Sequence, residues 1–310
     1  MMRFLAASRD FYPTKIILLL LTFLILSCDS EIEEGVMKSD LNKDVEMVTN
    51  YGTIIMRLSD ETPKHRNNFI KLINERFYDS IAFHRVINDF VIQAGNPTSK
   101  PSKTYSGGGD PELNYTIEAE IKPSLFHKRG ALAAARTGGL SNPDLLSSGL
   151  QFYIVQRGTY NDSTLNIQEE RVNEQIAYNT VINSAEIRPE VDNYLKLSNE
   201  LREIKEENRT KEDTLKFESL MNRIDEFNID SLVDIEVEKM KKYKYPEVHR
   251  DTYKTIGGTP HLDQNYTVFG EVVEGMTVVD SIASVSTNEQ GKPINDVWII
   301  TTTLIKRKEY

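Results

Sequence analysis

The sequence predicts a mainly β chain interrupted by a block of helices, and three observations predict it. Val45 to Val48 and Thr53 to Leu58 alternate apolar and polar residues about Asn50-Tyr51-Gly52, the pattern of a hairpin. The run Phe83 to Pro97, F-H-R-V-I-N-D-F-V-I-Q-A-G-N-P, and the tail Val297 to Ile305 are short segments of β-formers. Between residues 161 and 250 the apolar period becomes helical, and the composition turns rich in Glu, Lys, Asn, Leu and Ile.

With 310 residues, 39% apolar and 27% charged, the chain has room for one large domain or two small ones and for a true core. The formal net charge of −10, with no basic stripe, argues against nucleic acid as a partner. Cys28 is the only cysteine, which excludes an intramolecular disulfide and a cysteine-based metal site. The five histidines have no ligand spacing, so neither metal nor cofactor is expected.

At the start, Arg3, Arg9 and Lys15 precede an apolar run from Ile16 to Leu26, which is too short to span a bilayer and has the layout of a secretory signal over 1–27. Leu24-Ile25-Leu26-Ser27-Cys28 resembles the lipobox of bacterial lipoproteins. That resemblance implies cleavage before Cys28, lipidation of its thiol and a lipid anchor in the bacterial cell envelope, on the periplasmic side or the outer-membrane surface. Loss of three cations and Asp10 would leave the rest two charges more acidic. Residues 28–44 are polar and aperiodic and read as an acidic tether.

Past the hairpin, Thr62-Pro63 opens a helix with Thr62 as N-cap and proline in the first turn, and Phe69, Leu72 and Ile73 share one face. In the central run, alternation brings Arg85 and Gln93 to one surface beside the aromatic Phe90. A single arginine on a strand is ordinarily incidental; here the order of the whole run gives it a role. Gly107-Gly108-Gly109 follow, without the spacing of a phosphate-binding loop. Then come Ile117 to Ile121, Gly130 to Arg136, Ser148 to Ile154, and after a gap Gly257 to Pro260 with His261 to Gly270; Glu274 to Asp280 begins a second helix.

In this order these stretches resemble the signature motifs of the cyclophilin-type peptidyl-prolyl cis-trans isomerases, over about 170 residues in two blocks, 45–160 and 251–310. The resemblance implies a closed antiparallel β-barrel of about eight strands capped by two helices. It implies isomerisation of Xaa-Pro bonds in proline-containing polypeptide clients, here envelope or secreted proteins, without a cofactor. By the same resemblance Arg85, Phe90 and Gln93 are catalytic, and Val91, Ala135, Arg136, Tyr153, His261, Leu262 and Tyr266 bind substrate, Arg136 through its backbone. Relatives usually carry Met at Val91, Asn at Arg136, Phe at Tyr153, Trp at His261 and His at Tyr266. A backbone contact survives the change at Arg136 and a ring survives at Tyr153, whereas the missing tryptophan argues against tight cyclosporin binding. A non-catalytic proline-peptide-binding or scaffold lipoprotein is the other class of reading, opposed by the retained Arg85, Phe90 and Gln93.

The insertion, 161–250, carries apolar stripes at Ile187, Val191, Tyr194, Leu201 and Ile204, at Phe217, Leu220, Met221, Ile224 and Phe227, and at Leu232, Val233, Val237 and Met240. Breaks at 209–212 and 228–230 give three or four helices with antiparallel neighbours. Stripes at this spacing pack against one another more often than they form a partner surface. Since the motifs on either side match without it, the insertion is expected to be dispensable for chemistry.

Overall fold

The computed structural model describes residues 35–101, 115–204 and 208–309. Residues 1–27, read as a secretory signal, Cys28 and Gly107 to Gly109 lie outside the described residues.

Strands β1 (Lys43–Thr49) and β2 (Gly52–Leu58) form the expected hairpin, with Thr49 Oγ1 donating to the Gly52 carbonyl at 2.8 Å and Gly52 at φ +129°. Helix α1 (Pro63–Asn74) follows, then β3 (Arg85–Ile87), β4 (Val91–Ala94), β5 (Thr116–Ile117), β6 (Ala131–Ala134), β7 (Ser147–Ser148) and β8 (Phe152–Val155). After the insertion come β9 (Val268–Glu274), α7 (Met276–Ala283) and β10 (Ile299–Lys306). Eight strands form one antiparallel sheet in the order β10-β1-β2-β9-β6-β8-β4-β3, and β5 pairs with β7 apart from it.

The expected closed barrel is corrected to an open half-barrel: the outer strands β10 and β3 share no ladder. The sheet edges meet through the chain before β3, by the Ala82–Trp298 bridge and by bonds from Ser80 N to Ile299 O, Phe83 N to Val297 O and Ile299 N to Ile81 O, each 2.8 Å. Beyond that seam the free edge of β3 is taken by the loop before β10, whose Gly291 carbonyl accepts from Val86 N at 2.7 Å.

Alternation sorts the strand residues onto two faces. Ile92, Leu132, Ala134, Phe152 and Ile154 point into the main core, where they meet Phe69, Leu72 and Ile73 of α1 and Val279 and Ile282 of α7. These are the two capping helices the resemblance implied. Val91, Ala131, Ala133, Tyr153, Val155 and Val268 occupy the opposite face, in a second cluster. Thr62 is the N-cap of α1 by position, yet its buried hydroxyl makes no cap bond. Residues 35–44, read as the end of the tether, are folded onto the body. Val36 joins the core, and Asp40 is buried where it accepts from Met37 N and Lys43 Nζ.

The insertion is helical, as the stripes predict: α3 (Arg188–Glu203), α4 (Lys211–Glu226) and α5 (Ile229–Lys239), with Val191, Leu220 and Ile224 buried and the Tyr194 and Phe217 rings 5.9 Å apart. Two helices had no visible stripe. The longer, α2 (Asp162–Ile182), buries Gln168, Glu169 and Asn173 along with Leu165 and Val172. The other, α6 (Glu247–Thr255), straddles the junction drawn at residue 250. Both pack on the β body: Leu165, Val172 and Tyr253 share a cluster with Phe126 and Tyr160.

Candidate active site

The register assembles the central motif. Arg85 pairs with Gln93, Gln93 with Tyr153 and Tyr153 with Ala133, so one row crosses β3, β4, β8 and β6 on the face away from the main core. The chain leaves β4 at Gly95, at φ +96°, where a Cβ would collide with the Leu150 carbonyl; only glycine fits there.

Over this row lies a cavity of about 320 Å³. Arg85, Phe90, Val91 and Gln93 line it from the β3–β4 hairpin, Ala135 and Arg136 from the chain after β6, and Tyr153 from β8. Leu262 and Tyr266 close it from the segment before β9. Nine of the ten residues expected to act on or bind substrate are thus brought together. His261 is the tenth, and it stands behind the wall, its ring stacked on Phe90 at 5.6 Å and 15°. Burial, and then the nearby His127, Arg171 and Arg157, lower its pKa to about 4, so it is neutral at pH 7.

The Arg85 guanidinium lies 5.9 Å from the Phe90 ring centre, with Nη1 3.4 Å from Gln93 Oε1. Gln93 Nε2 donates to Gln151 Oε1 at 3.0 Å, which leaves the Gln93 carbonyl oxygen turned to the arginine. Across the cavity, Arg136 donates from Nε to the Asn265 carbonyl (2.8 Å), from Nη2 to Asn265 Oδ1 (3.1 Å) and from Nη1 to the Thr137 carbonyl (2.9 Å). Its guanidinium is 4.5 Å from the Tyr266 ring centre, a cation–π contact. Burial lowers the Arg136 pKa from its usual value, opposed by Tyr266 and Tyr153. Tyr153 and Tyr266 meet edge to face at 6.0 Å, forming an aromatic corner.

Sequence reasoning missed Gln151, although it lies two residues before Tyr153 and so shares its face. It also missed buried His127, whose Nε2 shares a 3.0 Å hydrogen bond with the Tyr153 hydroxyl. A phenylalanine, usual at the Tyr153 position, would offer His127 no such bond.

The chain is similar in sequence to known proteins. The family model described as cyclophilin type peptidyl-prolyl cis-trans isomerase/CLD matches residues 44–187 and 251–304. A Staphylococcus haemolyticus protein provisionally named a peptidyl-prolyl cis-trans isomerase is 28% identical over 267 residues, covering 84% of this chain and 93% of its own. A similarly named Staphylococcus aureus protein is 27% identical over 272 residues, covering 87% and 93%. Among solved structures, a Cryptosporidium parvum cyclophilin type isomerase aligns with TM-score 0.46 and 18% identity, over 86% of this chain and 99% of that one. The chain belongs to the cyclophilin-type peptidyl-prolyl cis-trans isomerases. It is an enzyme of that class, and the helical block from 188 to 250 is what it adds to the matched regions.

Proposed function

We propose that the chain isomerises Xaa-Pro bonds of envelope or secreted proteins from a lipid-anchored position, with Arg85 as the principal catalytic group. The observation that carries this is the cavity itself, an apolar corner of Phe90, Val91, Tyr153 and Leu262 with the Arg85 guanidinium at its rim, while the second guanidinium of the lining, Arg136, is tied to Asn265 and Thr137. Rotation about the Xaa-Pro amide faces a barrier of about 18–20 kcal/mol, because the nitrogen lone pair is conjugated with the carbonyl. A donor aimed at the prolyl nitrogen favours the twisted state, in which that lone pair is localised.

In this reading the proline ring fills the apolar corner and Arg85 donates to its nitrogen, oriented by Gln93. Ala135 has both backbone groups engaged, with Gln151 O and Ser148 N. Arg136 is the next backbone free to take a substrate peptide group, since no hydrogen bond to its N–H or carbonyl is formed among the described residues. Gln93 reaches the substrate backbone by exchanging its bond to Gln151. No cofactor or covalent intermediate enters the reaction.

The client class rests on the secretory pattern of residues 1–27 and on Cys28 directly after it. Membrane-associated client proteins of the envelope are the polypeptides an anchored isomerase would meet. Two measurements test the proposal. Magnetisation exchange on a peptide with resolved cis and trans proline signals should speed up with the wild-type chain, and an unchanged exchange rate would end the catalytic reading. Mass spectrometry of the protein from its membrane fraction should find a diacylglycerol-modified N-terminal Cys28, lost in Cys28→Ala; an unmodified cysteine in an uncleaved chain would remove the anchor.

A further inference from the structure

Behind the pocket, a chain of buried hydrogen bonds that the isomerase chemistry does not use runs from its aromatic wall to α6. The Tyr153 hydroxyl lies 3.0 Å from His127 Nε2, and His127 Nδ1 lies 2.8 Å from Asp263 Oδ1. The same oxygen accepts from the His127 backbone N–H at 2.9 Å, and Oδ2 accepts from the Tyr253 hydroxyl of α6 at 2.6 Å. None of these four side chains belongs to a residue more than 4% exposed. The His127 ring thus bridges the Tyr153 hydroxyl to Asp263. Burial raises both tyrosine hydroxyls well above their usual pKa, so they stay protonated. The chain of bonds converges on one carboxylate.

That carboxylate directly follows Leu262, on the turn Pro260–Leu262 that forms one side of the pocket. A second tie reaches the same segment from α2. Asn179 Nδ2 donates to Asn265 Oδ1 at 3.0 Å, the oxygen that also accepts from Arg136 Nη2 at 3.1 Å. Asn265 immediately precedes Tyr266, over whose ring the Arg136 guanidinium lies. Helices α2 and α6 thus grip residues 265 and 263, which are flanked by the wall residues Tyr266 and Leu262.

We propose that Asp263 and Asn265 are positioning residues through which α2 and α6, the helices on either side of the added block, hold the proline pocket in shape as part of the substrate-binding unit. The ties act on the wall that receives the proline ring and not on Arg85. Loosening them weakens the ground state and the transition state together, which moves affinity and leaves turnover at saturation.

The test uses the full chain, solubilised in detergent, with a short Ala-Pro peptide as probe. The peptide Kd is taken from a titration, and the saturated exchange rate from magnetisation exchange. Tyr253→Phe keeps the ring and removes one donor from a buried carboxylate. It should raise the peptide Kd about three- to tenfold, the scale of one hydrogen bond, with the saturated rate within about twofold of wild type. Should Tyr253→Phe fail to fold, Asn179→Ala cuts the independent tie on partly exposed α2 and should still weaken binding at least twofold. A role confined to stability would lower the melting temperature and leave Kd alone. A folded Tyr253→Phe or Asn179→Ala that binds the peptide as tightly as wild type overturns the inference. Peptide binding is measured without turnover, so failure of the catalytic reading is seen separately, in the wild-type exchange rate.

Discussion

The two sides of the pocket are held by different means. Arg85, Gln93 and Tyr153 stand on adjacent strands, where ladder bonds fix each backbone and the register alone brings the side chains together. Arg136, Leu262 and Tyr266 stand on irregular chain after β6 and before β9, and side chains of Asp263 and Asn265, gripped from α6 and α2, hold them. A ladder is a local and regular constraint. A buried polar network is long-range, and it works only if every member is present. The strand side should therefore control turnover and the loop side affinity, and substitutions can separate the two.

The largest effect belongs to the strand side. Arg85→Ala should lower kcat/KM on an Xaa-Pro peptide by about 10² to 10³, the scale of losing one oriented transition-state donor. Arg85→Lys should recover little, because an ammonium cannot accept orientation from Gln93 and aim a second donor as the planar guanidinium does. A folded Arg85→Ala that exchanges the peptide like wild type would break the division of labour at its first term. Next comes the loop side taken as a whole. Joining Tyr160 to Asp251 through a Gly/Ser linker was expected from sequence to leave an active domain. It removes α2 with Leu165 and Val172, cuts α6 in two and uncovers Phe126 and Tyr253. We expect unfolding by circular dichroism or, in a folded product, a peptide Kd raised about tenfold or more, from loss of both ties. Wild-type binding by that variant would show that the β body holds its own pocket.

The same contrast explains what was legible in the sequence. Period-two alternation put Arg85 and Gln93 on one face, and the β3–β4 register realises it. Helical stripes gave α3 to α5, whose buried positions Val191, Leu220 and Ile224 are apolar. Helix α2 escaped because its buried face is partly polar. Glu169 there accepts from Tyr245 N, Lys244 Nζ and Arg250 Nη1, and Asn173 exchanges two bonds with the Tyr243 backbone. Such a face has no apolar period to count, and its partners lie about 70 residues away in sequence. Asp263 and Asn265 sit inside a recognised motif, but their partners are on helices the motif does not include. The open seam between β10 and β3 was hidden for a related reason: a strand's composition does not say whether a loop will occupy its edge.

The smallest effect lies where the two sides touch. His261 shares its turn with Leu262 of the loop side and stacks on Phe90 of the strand side. Its pKa of about 4 in the fold, set first by burial, lies below the 6.5 of an exposed histidine. Between those values the unfolded chain binds the proton and the folded chain does not. The stability contributed by neutral His261 is thus fully present above about pH 6.5 and lost as pH falls through about 4. His84 and His249 are lowered in the same direction, each mainly by burial. Melting followed by circular dichroism should fall by a few degrees between pH 7.5 and 5. Asp40, Asp44 and Glu120 do not supply this slope, since all three are lowered and titrate below the window. His261→Phe keeps a ring on Phe90 and should flatten part of the slope. Peptide Kd should stay within about twofold of its neutral value at pH 5.5, because His261 remains neutral there and lies outside the cavity lining. A melting temperature independent of pH over this range would mean that His261 is charged or exposed, and that the turn it shares with Leu262 is not packed against Phe90.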